Sequence, residues 1–132
     1  MPISPSPEQV STASPEDLVL MLFEGAVRFG RQTQQAIADG DRATGAPLVG
    51  RVRAIVHELD RGLNPAAGSI TRHLGAIYEY VLRRLEPDTV DAVTMGEVIA
   101  DLTVLCEAWT ALVAERRAEL PEHSRHHAPA LA

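Results

Sequence analysis

Between Leu18 and Phe23 the chain runs six apolar residues without a break, and Leu18 to Val27 holds eight in ten. A helix that buries a single face interrupts such a run within a turn. The stretch therefore predicts a helix covered on more than one side. Its start is marked by Ser14 as N-cap, Pro15 at the first helical position and Asp17 as the capping-box partner. Asp39-Gly40-Asp41 stops it.

The apolar spacing predicts three more helices. In the second, Leu48, Val52, Ile55 and Leu59 recur at three- and four-residue steps, with Val49, Val56 and Leu63 on an adjoining line. Thr44 is the expected cap, because it leaves Pro47 in the first turn, where an N–H is not needed. Asn64-Pro65 reads as a cap followed by proline and opens the third helix, with Ile70, Leu74, Ile77, Val81 and Leu85 on one side, flanked by Tyr78 and Leu82. Glu86-Pro87-Asp88 ends it. The fourth starts near Asp91 or Thr94, carries Val98, Leu102, Leu105, Trp109 and Leu112 with Ile99, Cys106 and Val113 alongside, and stops before Pro121. Four helices of about 18 to 28 residues joined by short connections predict an all-α, antiparallel up-down-up-down four-helix bundle. Its expected bounds are residues 14–120, after a flexible arm (1–13) and before a disordered tail (121–132). Gly25, Ala26 and Gly30 in the first helix, and Gly75 and Ala76 in the third, are read as sites of close helix approach.

Composition narrows the function. All twelve basic residues are Arg, dispersed over a chain of net charge −6, so no basic stripe marks a nucleic-acid face. Neither a secretory leader nor a run able to cross a bilayer is evident, and the one cysteine makes no intrachain disulfide. These features point to a cytoplasmic protein without membrane insertion.

Catalytic chemistry has little to stand on. The Glu-x-x-His pairs of a di-iron bundle are absent, as are phosphate-binding and nucleophile-elbow patterns. His57 and His73 fall on polar faces, and His123, His126 and His127 lie in the tail without fixed geometry. Cys106 shares an apolar line and has no basic sequence neighbour to lower its pKa. No enzyme activity, metal or cofactor is expected.

What remains is surplus apolar surface. On a helical wheel Leu18, Leu22, Ala26, Phe29 and Thr33 form the line expected to face the core, while Val19, Leu20, Phe23 and Val27 lie round the side. Together with Val49, Val56, Leu63, Tyr78, Ile99, Cys106 and Val113, these side positions are the candidate partner-binding residues. Asp at Val56 or Ile99 is then expected to harm partner binding more than the fold. Ile3 and Val10 in the arm are candidate lid residues over the same surface.

The order of motifs resembles a known family. "TASPEDLVLMLFEGAVRF" (12–29) resembles the N-terminal signature of FliS-type flagellar secretion chaperones, and "AIADGD" (36–41) their first helix connection. "IVHELDRGLN" is similar to the end of their second helix, "GSITRHLGAIYEYVLRRL" (68–85) to their third, and Ala108-Trp109 to a pair in their fourth. The resemblance spans about residues 10–120. It implies a cytosolic export chaperone that binds the C-terminal region of flagellin, prevents premature polymerisation and supports delivery to the flagellar type III export apparatus. It also brings export-gate components into view as partners, with the chaperone a monomer or weakly self-associating. The arm departs from the family in lacking its usual Tyr, and Pro47 sits where the family's second helix has usually begun. The competing reading is a self-associating regulatory or structural bundle with no flagellin client.

Overall fold

The computed structural model describes residues 14–64, 66 and 68–119. The arm and tail expected at 1–13 and 121–132, with Ile3, Val10 and the three tail histidines, lie outside the described residues. Among those described, every regular element is helical: α1 (Pro15–Ala38), α2 (Arg42–Arg61), α3 (Ser69–Arg84) and α4 (Ala92–Ala118).

α1 begins as its sequence predicts. The Asp17 N–H donates to Ser14 Oγ at 3.1 Å, and the Ser14 N–H donates back to Asp17 Oδ2 at 3.4 Å, so two otherwise unpaired donors are satisfied. It ends in a Schellman turn. The Asp41 N–H bonds the Ala36 carbonyl and the Gly40 N–H bonds the Ile37 carbonyl, which requires the left-handed φ of 76° that glycine supplies at Gly40.

Two predicted boundaries are corrected. α2 is capped by Asp41, not Thr44: the Thr44 N–H donates to Asp41 Oδ1 at 3.1 Å, and Pro47 stands inside the helix. Aspartate outranks threonine as a cap, and starting at once from the α1 turn offsets the one missing N–H of Pro47. α3 does not open at Asn64-Pro65 but at Ser69, behind Gly68 with φ 67° and no side-chain cap. Asn64 instead accepts the Ala66 N–H on its Oδ1 at 3.0 Å, closing a local Asx turn that competes with helix initiation. At α4 the Asp91 alternative holds, with the Thr94 N–H donating to Asp91 Oδ1 at 2.7 Å.

The four helices pack as an antiparallel bundle in which α1 lies between α2 and α4. The Gln34 side-chain amide reaches the Ala92 carbonyl at one end, and the Trp109 indole N–H reaches the Glu16 carbonyl at the other, so α1 and α4 run in opposite directions. Ala26, Val49, Val52, Val56, Val81, Met95, Val98 and Leu102 are fully buried at the centre. Gly30 sits where α1 and α4 approach closely: a Cβ there would lie 2.9 Å from Ile99 Cγ1. Gly25 has Ile55 Cδ1 at 3.5 Å from the same construction and Gly75 has nothing nearer than 3.6 Å, so of these three glycines Gly30 alone requires the close approach.

Candidate functional site

α3 is the helix that departs from an even bundle. It has 16 residues against 24 in α1 and 27 in α4, and it packs on α2 while barely touching α4. Its second half is anchored by Tyr78, Val81 and the following Leu85, all buried. Arg53 of α2 donates from Nη1 to the Leu82 and Leu85 carbonyls, at 2.6 and 2.9 Å, satisfying acceptors at the α3 C-terminus, and Arg84 pairs with Glu97 of α4. The first half is held more lightly, by Leu74 packed against the core and by the Thr71 hydroxyl donating to the Asn64 carbonyl. Ile70 is 61% exposed, and the helix start lacks a side-chain cap.

That difference opens an apolar cleft of about 330 Å³ at the end where α1 begins and α4 finishes. α1 contributes Val19 and Phe23, and α2 contributes Leu59 and Leu63. Ile70, Leu74 and Tyr78 come from α3, and Leu105, Trp109 and Leu112 from α4. Ser69 and His73, both exposed, are the polar side chains of the lining. The Trp109 indole N–H is already satisfied by Glu16 at 3.0 Å, which leaves the ring as apolar wall. Burial and the nearby Asp60 charge push the Tyr78 hydroxyl up to about 12, so it is neutral at any physiological pH.

The candidate partner-binding residues divide on this geometry. Val19, Phe23, Leu63 and Tyr78 come together in the cleft. Val49 and Val56 have no exposed surface, and Ile99 and Val113 are each 8% exposed, so these four are packed in the interior. Leu20 is half-buried away from the cleft. Val27 and Cys106 border a second, more polar depression of about 560 Å³ between α1 and α4, beside Glu24, Arg31 and Glu107.

The wheel of α1 is also corrected. Phe23 and Val27, assigned to its side, are buried, whereas Leu18 and Leu22, assigned to its core line, are half-buried. With α2 on one flank and α4 on the other, the covered sector of α1 is wide and shifts away from the Leu18–Leu22 line. Asp at Val56 or Ile99 would consequently bury a charge in the core and unfold the protein before it tested binding.

Sequence reasoning missed Leu59, Ile70, Leu74, Leu105, Trp109 and Leu112 as site residues, since all lie on the main stripes and were assigned to the core. One signal was present: the stripe of α3 begins only at Ile70, after Gly68, while that of α4 continues to Val113, so α4 has more apolar length than α3 can cover.

Catalytic chemistry is not assembled here. No group of three or more His, Cys, Asp or Glu side chains is placed to hold a metal ion among the described residues. Burial, and then the charges of Glu24 and Glu107, push the Cys106 thiol up from its ordinary value, which makes it a poorer nucleophile. No described helix is long and apolar enough to cross a membrane.

A family model described as Flagellar protein FliS matches residues 6–116, which takes in α1 to α3, all but the last two residues of α4 and every residue of the cleft. The chain belongs to the FliS family. Among its relatives is the Flagellar secretion chaperone FliS of Bacillus subtilis (strain 168), 31% identical over 110 residues that cover 82% of each chain. The Flagellar secretion chaperone FliS of Salmonella typhimurium is 34% identical over 104 residues, 76% of this chain and 77% of its own. The FliS relatives are named for chaperoning in flagellar secretion and not for a reaction, in keeping with a FliS-family site built from apolar walls.

Proposed function

We propose that this FliS-family chain is a cytoplasmic export chaperone that binds the C-terminal segment of flagellin, holds it from premature polymerisation and supports its delivery to the flagellar type III export apparatus. Family membership over residues 6–116 is the observation that carries the reading. The cleft gives it a physical basis: an apolar cavity open to solvent is costly unless a partner covers it, and a segment that orders on binding can be held and still released. Val19 and Leu63 are the side-line residues proposed to meet the client, over a buried floor that includes Phe23 and Tyr78, joined by Ile70, Trp109 and Leu112. In the same reading Ile3 and Val10 act as a lid that the client displaces, and export-gate components meet the loaded chaperone.

Co-purification of the full chain with the C-terminal region of the same organism's flagellin tests the proposal. A stable complex is expected, and Ile70→Asp or Leu112→Asp, at positions 61% and 41% exposed, should abolish it while leaving thermal unfolding nearly unchanged. Failure of the unaltered protein to retain flagellin, together with a concentration-dependent dimer in sedimentation, would favour the self-associating bundle instead.

A further inference from the structure

The α3 and α4 walls of the cleft are secured differently. On the α4 side, the Trp109 indole N–H donates to the Glu16 carbonyl and Arg117 pairs with Asp17 at 3.1 Å, so the wall of Leu105, Trp109 and Leu112 is tied to the start of α1. On the α3 side, the lining residues Ser69, Ile70, His73 and Leu74 all precede Gly75. Tyr78, the remaining α3 contribution, follows it and is buried.

The part of α3 beyond Gly75 is pinned. Tyr78, Val81 and Leu85 are buried, and Arg53 holds the Leu82 and Leu85 carbonyls. Arg42 extends the clamp into the α3–α4 connection, donating to the Pro87 and Val90 carbonyls at 3.3 and 2.7 Å. Ahead of Gly75 the hold is light: Leu74 packs on the core and Thr71 bonds Asn64, while Ser69 and Ile70 are exposed and Gly68 gives no side-chain cap.

Gly75 lacks a packing reason of its own. A Cβ there would meet Leu63 Cδ1 at 3.6 Å and Asp60 Oδ1 at 3.8 Å, both ordinary contacts, so alanine would fit. What glycine does supply is a helix backbone that bends and unwinds at low cost. It stands at the junction of the lightly held and pinned parts of α3, where a swing of residues 69–74 widens the cleft and leaves the buried anchors undisturbed.

We propose that residues 69–74 form a flap hinged at Gly75, which opens and closes the α3 wall of the cleft while the pinned end of α3 and the α4 wall stay in place. The open state breaks the helical hydrogen bonds of amides 72–77, whose acceptors are carbonyls 68–73. Few buried contacts are lost with them, which keeps the opening local and well below the cost of global unfolding. The flap sets how an apolar occupant of any kind gains entry, and so goes beyond the flagellin reading.

Two measurements on the full chain test this without a client. In native-state hydrogen exchange, amides 72–77 should exchange as one group, at least about tenfold faster than amides 81–84 and insensitive to low urea. In stopped-flow mixing with bis-anilinonaphthalene sulfonate, an apolar dye too bulky for the 330 Å³ of the closed cleft, the binding rate should level off with dye concentration at the rate of flap opening. Energy transfer from Trp109, the one tryptophan of the chain, reports arrival in the cleft. Gly75→Ala should slow exchange of the group by about fivefold, the factor set by helix propensity, and lower the limiting dye rate. Thr71→Val, which removes the hydroxyl bond to Asn64, should raise both. Pro47→Ala, at the far end of α2, should leave both unchanged.

Protection that rises residue by residue through Gly75 would reduce the flap to a fraying helix end and overturn the proposal. So would a Gly75→Ala variant that exchanges like the parent, a dye rate that climbs with concentration without limit, or an effect of Pro47→Ala equal to that of Gly75→Ala. Neither readout involves flagellin, so failure of the flap leaves the chaperone reading standing, and failure of that reading leaves the flap.

Discussion

Gly30 and Gly75 occupy helix interiors, where glycine costs about 1 kcal/mol relative to alanine, yet they answer to different constraints. At Gly30 an added methyl would meet Ile99 Cγ1 at 2.9 Å and Met95 Cε at 3.1 Å, both held in the α1–α4 contact. At Gly75 it would meet Leu63 Cδ1 at 3.6 Å, an ordinary contact. Gly30→Ala should therefore destabilise by about 1 to 3 kcal/mol in spite of its gain in propensity. Gly75→Ala should stabilise by about 0.5 to 1 kcal/mol. Denaturant midpoints of the two variants check the contrast, and equal signs would show that the helix approach at Gly30 has been misjudged.

At the scale of the element, three helix starts use an aspartate: Asp41 and Asp91 as the caps of α2 and α4, and Asp17 as the capping-box partner of Ser14 in α1. Asp17 is held below the ordinary value of 3.8 by hydrogen bonding to Ser14 and then by Arg117, Asp41 by Thr44, and Asp91 by Thr94. A depressed folded-state pKa contributes stability above the unfolded value and loses it as pH falls through the folded one. The cap contribution should thus be constant from neutral pH down to the carboxylate range and disappear below about pH 4, with Asp91→Asn flattening part of the acid limb. Melting temperature against pH measures this.

Pro47 supplies the converse case. It is exposed inside α2, so Pro47→Ala restores a backbone donor without removing packed surface and should raise stability by about 1 to 3 kcal/mol. A loss of stability would mean that the proline ring sets the course of the α1–α2 turn.

Over the whole molecule, cover is uneven. α1 is flanked along its length by α2 and α4, whereas α3 is fastened by Tyr78, Val81, Leu85 and the Arg53 bonds and is held more lightly before them, by Leu74 and the Thr71–Asn64 bond. Hydrogen exchange should be fastest, among the helices, in the first two turns of α3, and markedly slower from Tyr78 onward. Core and cleft should separate in the same way. Leu102→Ala, at a fully buried position, should cost about 2 to 5 kcal/mol, while Leu112→Asp should leave stability within about 0.5 kcal/mol and remove the client. Slow exchange at Ile70 would show that the N-terminal half of α3 is held by contacts beyond those described.

Helix number, helix type and the antiparallel bundle were legible in the chain because they follow from apolar periodicity and local capping, which act over a few residues. Ser14 and Asp17 needed no tertiary contact to mark the start of α1, and the family signature could be read from the same local stretches. Boundaries with two competing local solutions were not legible: Asp41 against Thr44 turned on the α1 exit, and Asn64 used its side chain for a turn where a helix cap was expected. The site lay further still from sequence. Val56 and Leu112 are both apolar residues at helical spacing, and only the tertiary structure makes one fully buried and the other 41% exposed. Burial depends on where a neighbouring helix ends, and the shortness of α3, not any feature of residues 105–112, leaves the cleft of this FliS-family bundle open.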